Sequence, residues 1–85
     1  MSKITREEIQ KAMLYGAPPK LNLQAADISF ENLSRLNLSG ANLYMADLES
    51  SYLREANLRE ANLNKANLSE ADLSGATMPD GSKHE

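Results

Sequence analysis

From Leu21 onward an apolar residue returns at every fifth position, from Leu23 and Ile28 through Leu73 to Met78. The stretch divides without insertion into twelve five-residue units, beginning L-N-L-Q-A, A-D-I-S-F, E-N-L-S-R and L-N-L-S-G. The third position is Leu in ten units, Ile28 in one and Met78 in another; the first is Ala in eight, and the second is Asn or Asp in ten. This period suits neither common element. On an α-helix five residues advance the direction by about 140°, which would spread the leucines around the whole surface. In a continuous strand an odd period flips faces, sending Leu43 up and Leu48 down. A short extended stretch followed by a corner does fit. Within A-N-L the first and third side chains share one side, the next two residues turn the chain, and each new unit starts a new side. A chain that turns the same way at every corner must climb, stacking coils about 4.8 Å apart.

Residues 21–80 on this basis resemble the pentapeptide-repeat family, whose pattern is A-(N/D)-L-x-x, in its small bacterial or cyanobacterial form. The resemblance implies an all-β solenoid, a right-handed quadrilateral β-helix with four units per coil. Twelve units make about three coils, 21–40, 41–60 and 61–80. The fourfold shape comes from the resemblance; a period of five alone does not separate four sides from three. With twenty residues per coil, the central residues stack as Leu23/Leu43/Leu63, Ile28/Leu48/Leu68, Leu33/Leu53/Leu73 and Leu38/Leu58/Met78. Leu21, Glu31 and Leu36 replace the small inward residue in the first coil, as suits an end closed by something other than a coil. Glu31 is expected there either solvated or paired.

Residues 1–20 read as an N-terminal capping helix and linker, with the helix over 5–15. Thr5 and Glu8 form a capping box, and Ile4 and Ile9 sit where a hydrophobic staple belongs. Gly16 is the expected stop, and Pro18 and Pro19 prevent continuation. Ile9, Ala12, Met13 and Leu14 offer an apolar stripe to cover the first coil; docking a partner is the alternative use. At the other end Pro79 cannot donate to a further coil, and residues 81–85 read as a disordered polar tail. The last coil is left as an edge carrying Met78 and Leu73, which invites end-to-end pairing into a homodimer.

Composition narrows the function. The 85 residues include no Cys, no Val and no Trp, which excludes disulfides, thiolate metal sites and a cysteine nucleophile. The only histidine, His84, lies in the tail, so no Ser-His pair or histidine metal cluster assembles within one chain. Phosphate-binding glycine loops are missing. A non-enzyme without cofactor, metal or small-molecule substrate is therefore expected. Neither an apolar run of membrane-spanning length nor a signal peptide's apolar core occurs, so the expectation is a cytoplasmic protein with no membrane role.

The net charge of −3 lacks the basic footprint of direct nucleic-acid binding. Asp27 and Asp47, stacked with Asn67 and near Glu49, form an acidic strip that reads as a solvated face. Departures from the repeat mark the candidate protein-contact surface: Phe30, Tyr44, Met45 and Tyr52, facing an unidentified protein partner. Some pentapeptide-repeat proteins bind DNA gyrase or topoisomerase as duplex mimics, and the resemblance implies that alternative. The acidic balance of 21–80 is compatible with it. Three uninterrupted coils offer a much smaller footprint than those long rods, and Arg35, Arg54, Arg59 and Lys65 interrupt the acidic faces.

Overall fold

In a computed structural model, residues 3–14 and 21–85 are described, with the side chains of 3–11 and 21–85. Gly16, Pro18 and Pro19, and the side chains of Ala12, Met13 and Leu14, lie outside the described residues.

Parallel bridges join residues twenty apart. Asn22 pairs with Asn42 and Asn42 with Asn62; Asp27, Asp47 and Asn67 follow the same rule, as do Asn32, Tyr52 and Asp72, and Asn37, Asn57 and Thr77. Four ladders at one offset define four sides, numbered here in chain order from 21–25. Each unit contributes three bonds to the next turn: Leu23 N–H donates to Asn42 O (2.8 Å), Ala25 N–H to Tyr44 O (2.8 Å), and Asn42 N–H to Leu21 O (2.7 Å). The backbone is thus paired between turns, and no wide pleated face is needed.

The fifth residue of each unit makes the corner. Ala25, Phe30, Arg35, Met45, Ser50, Glu55, Glu60, Lys65 and Glu70 hold φ of 55–66°, and Gly40 and Gly75 hold 71° and 74°. The next unit's first amide donates back to the third residue's carbonyl, as Ala46 N–H does to Leu43 O (2.9 Å). A single positive φ at the third turn position marks a type II turn. For a residue with a Cβ the left-handed conformation costs about 1 kcal/mol. The Asn or Asp at the second position offsets it: its Oδ1 accepts the amide two residues on, in every unit that carries one (Asn22 from Gln24, Asn42 from Tyr44, Asn57 from Arg59, 3.0–3.2 Å). The same carboxamides stack vertically, with Asn57 Nδ2 donating to Asn37 Oδ1 (3.3 Å).

Inside the sides, Ile28, Leu33, Leu38, Leu43, Leu48, Leu53 and Leu58 are fully buried against Ala41, Ala46 and Ala56. Leu63, Leu68, Leu73 and Met78 of the last turn are only partly covered. Ser51 stands where Ala is the rule and is also fully buried; its hydroxyl donates to Leu48 O at 2.8 Å, so no buried polar group is orphaned there.

Helix α1 spans Arg6–Leu14. Its capping box is reciprocal: Thr5 N–H donates to Glu8 Oε1 (3.2 Å) and Glu8 N–H to Thr5 Oγ1 (3.3 Å). Ile9 is buried in the core cluster, and Ile4 packs on it. Ile4, before the helix, and Arg6, its first residue, complete the first turn's ladder. Ile4 N–H donates to Asp27 O (2.8 Å), and Arg6 Nη1 donates to both Asn32 O (2.6 Å) and Ser34 O (3.1 Å). One guanidinium group here does the work of two amides of a preceding turn, the relation that Leu33 and Arg35 have to Tyr52 O and Arg54 O. Glu31 is paired with the helix start: its Oε1 accepts Arg6 N–H (2.9 Å), with Lys3 Nζ 3.8 Å from Oε2.

The C-terminal residues depart from the disordered tail expected of 81–85. Thr77 pairs antiparallel with Lys83. Met78 N–H donates to Ser82 O (2.7 Å), His84 N–H to Ala76 O (2.7 Å) and Gly75 N–H to His84 O (2.8 Å). Pro79 begins the reversing turn, closed by Gly81 N–H on Met78 O (2.8 Å), and Gly81 follows with φ 88°. The same Pro-Asp-Gly that ends the repeat therefore folds the chain back along the fourth side.

In three of the Asx-type turns the residue that accepts is an aspartate with a serine two residues on. Asp27, Asp72 and Asp80 accept hydroxyl bonds of 2.6–2.7 Å from Ser29, Ser74 and Ser82, in addition to those residues' amides. These bonds hold all three carboxyls below the ordinary 3.8, with Lys3 adding to the effect at Asp27 and Arg54 at Asp72. A carboxyl whose folded pKa is depressed binds its proton more readily in the unfolded chain, so it stabilises the fold above the unfolded value. That contribution is lost as pH falls through the folded value. Urea unfolding is accordingly expected to give a constant midpoint from pH 7 to 5 and a falling one below about pH 4. Replacing all three by Asn should flatten that fall.

Candidate interaction surface

Positions two and four of each unit face outward, so the surface can be read side by side. Tyr44 and Met45 lie on the first side and its corner, Tyr44 partly buried and Met45 exposed. Phe30 stands at the corner where the third side begins, 68% exposed, and Tyr52 lies within that side, 52% exposed. The four candidate contact residues thus divide into two pairs on different sides. Of the candidate edge residues, Leu73 belongs to the open part of the last turn, whereas the Met78 amide is bonded to the returning tail.

The third side differs from the others in ways that single-residue reading missed. Its inward positions are Glu31, Ser51 and Ala71, and its outward ladder places Tyr52 where an Asn or Asp is the rule. It also holds Arg35 and Arg54, and Arg6 reaches it from the start of α1. Arg6, Asn32, Ser34, Arg35, Arg54 and Glu55 line an open cleft of about 370 Å³. Arg35 Nε bonds Glu55 Oε1 (3.2 Å), and Arg54 Nη1 bonds Asp72 Oδ2 (3.1 Å). The signal in the sequence was the twenty-residue spacing of the irregularities: Glu31, Ser51 and Tyr52 share a side.

On the neighbouring second side, Asp27 Oδ1 takes the Ser29 hydroxyl and lies 3.9 Å from Lys3 Nζ, while Asp47 Oδ1 accepts Asn67 Nδ2 at 3.4 Å. Among the described residues no group of three or more metal-ligating side chains converges, and no helix is long and apolar enough to cross a membrane.

Tyr52 has no group that can accept the Arg54 amide in the manner of Asn or Asp, so its turn lacks the bond that the other units make. Tyr52→Asn is expected to raise stability by about 0.5–1.5 kcal/mol, read as a higher urea midpoint at unchanged slope. A lower midpoint would mean that the phenol ring packs more strongly than its exposure implies.

Stacked five-residue units and an apolar interior of alternating large and small residues define a solenoid. The profile of pentapeptide repeats, in eight copies, matches residues 21–54 and 46–79, and the chain belongs to that family, whose members are right-handed β-helices. Solved relatives agree. A pentapeptide-repeat protein of the Arabidopsis thaliana thylakoid lumen is 35% identical at TM-score 0.65, over 67% of this chain and 39% of its own. Rfr23 of the cyanobacterium Cyanothece is 36% identical at TM-score 0.70, over 78% and 45%. HetL of Nostoc, involved in heterocyst differentiation regulation, is 42% identical at TM-score 0.52, over 76% and 33%. The chain spans less than half the length of each of these three relatives. Among curated proteins none matches.

Proposed function

We propose that this chain is a non-catalytic interaction module: a three-coil quadrilateral β-helix, closed at one end by α1, that presents fixed side chains to another protein. The observation that carries this reading is the placement of large apolar side chains in water on a frame that does not need them there. Phe30 and Met45 occupy corner positions at φ of 62° and 60°, while Gly40 and Gly75 fill equivalent corners without a side chain. A bulky exposed residue at such a corner adds nothing to the core, and aromatic and Met side chains are enriched at protein interfaces. Affinity capture from the source cell tests it, comparing the wild type with Tyr44→Ser/Met45→Glu and with Phe30→Ser/Tyr52→Asn. A partner held by the wild type should be lost from at least one variant. Retention by both would overturn the reading.

A second reading, pairing of two copies through the last turn, is favoured by the edge itself. Among the described residues the Leu63, Leu68 and Leu73 amides have no partner of the kind that Leu43, Leu48 and Leu53 find in Asn62, Asn67 and Asp72. Those three leucines are also only partly covered. Sedimentation equilibrium at high micromolar concentration should then give twice the chain mass; a monomer at that concentration excludes it.

A further inference from the structure

We propose that the third side is the contact face, and that its ligand is a short acidic segment of a partner protein carrying an apolar side chain beside its carboxylates. This rests on the reading of the chain as an interaction module and specifies its site. Three guanidinium groups, Arg6, Arg35 and Arg54, face one open cleft with a single carboxylate, Glu55, in its lining. Arg6 is fixed by the carbonyls of Asn32 and Ser34, so one charge of the three is preorganised on backbone.

The other two arginines are held loosely. Arg35 and Glu55 are 79% and 60% exposed in their side chains and make one contact of 3.2 Å, in place of the two-pronged pairing that a guanidinium group and a carboxylate can form. An exposed pair of this kind contributes little to stability, so the fold does not account for its presence. Each arginine carries five N–H donors, and the bonds just described engage a minority of them. An incoming carboxylate can therefore take a fork that Glu55 or Asp72 now occupies at one point.

The apolar component comes from the ladder. Phe30 lies at the corner one turn from Ser50, and Tyr52 follows Ser50 by two residues, so both aromatics border the face that holds Arg54. Arginine and aromatic side chains are the residues that dominate binding energy at protein interfaces. The surroundings choose among anions. Asp27, Asp47 and Glu49 occupy the adjoining second side, and Glu70 shares the corner with Phe30. An extended polyanion such as duplex DNA, with a charge about every 1.7 Å, would run from the cleft onto those carboxylates. A short acidic segment ends before reaching them.

Fluorescence anisotropy with a labelled peptide alternating glutamate and leucine is the test, with a lysine–leucine peptide and a 20-base-pair duplex as competing probes. The glutamate–leucine peptide should bind, weaken with added salt, and lose at least about tenfold in affinity on Arg35→Glu/Arg54→Glu and on Phe30→Ser/Tyr52→Ser. Lys65→Glu, an exposed corner of the first side, should leave it unchanged. All the substituted third-side residues are exposed, and an unchanged circular dichroism spectrum and melting midpoint, within a few degrees, confirm that the comparison concerns folded protein. No preference for the acidic peptide, equal loss on the first-side variant, or tighter binding of the duplex would each overturn the proposal. If the acidic peptide fails while capture of a cellular partner still depends on Tyr44 and Met45, the third side is wrong and the interaction module stands.

Discussion

Leu48→Ala should lower the unfolding free energy by about 3–5 kcal/mol, whereas Leu68→Ala, one turn further along the same side, should lower it by about 1–2 kcal/mol. The two leucines sit in the same internal position of the same repeat. Leu48 is fully buried between Ile28 and Leu68, while Leu68 has a turn on one side only and is partly covered. Removing Leu48 leaves a cavity whose walls are held by the ladders, since Leu48 N–H is bonded to Asn67 O and Ile28 N–H to Asp47 O. Those bonds prevent collapse into the gap. The end turn can relax, because its outward amides have no further coil to hold them. For a domain of this size the larger loss corresponds to a fall of about 15–30 °C in melting midpoint, measurable by circular dichroism. Equal losses at the two positions would mean that the last turn is covered as fully as the middle one, for instance by a second copy.

That contrast also marks what was legible in the sequence. The interior was readable because one leucine and one small residue per side repeat without a gap, and stacking at twenty residues follows once four sides are assumed. The Asn and Asp positions were readable as backbone-bonding residues from their chemistry alone. Glu31 was recognised as exceptional but not placed, because its partner, the Arg6 amide, is twenty-five residues away and belongs to no repeat. The tail's order is hidden in the sequence for a related reason. With no apolar anchor the tail resembles a frayed end, and its order comes from four backbone bonds that composition does not encode. On the surface, a departure from the repeat carries no mark of the others that share its side. The convergence of Arg6, Arg35 and Arg54 required knowing that Arg6 crosses the end of the solenoid to reach Asn32 O and Ser34 O.

Deleting residues 1–20 should convert a protein of fixed small mass into one that grows with concentration. The reason lies in how the two ends of a solenoid relate. Within the chain, the third- and fifth-position amides of one turn donate to the second- and fourth-position carbonyls of the next, as Leu33 and Arg35 do to Tyr52 O and Arg54 O. By the same pattern the last turn presents the third- and fifth-position donors of Leu63, Lys65, Leu68, Glu70 and Leu73 with its first-position carbonyls, and the first turn presents the complementary second- and fourth-position acceptors with its second-position amides. Any copy's last turn is in register with any copy's first turn, because both belong to the same ladder. Ile4 and Arg6 occupy the acceptors of Asp27, Asn32 and Ser34, and Ile4 and Ile9 cover the apolar interior behind them. Their removal frees a contact that is head to tail, and such a contact propagates without closing. Light scattering should show growth above micromolar concentration, and electron microscopy should show thin rods. Arg6→Ala, which uncovers only two acceptors and leaves Ile9 in place, should show a smaller effect that rises with protein concentration. A truncated chain that keeps the mass of the intact protein would show that the first-turn acceptors are no template for a second copy. Growth by pairing of last turns alone predicts a different ceiling: a dimer, reached equally with or without residues 1–20.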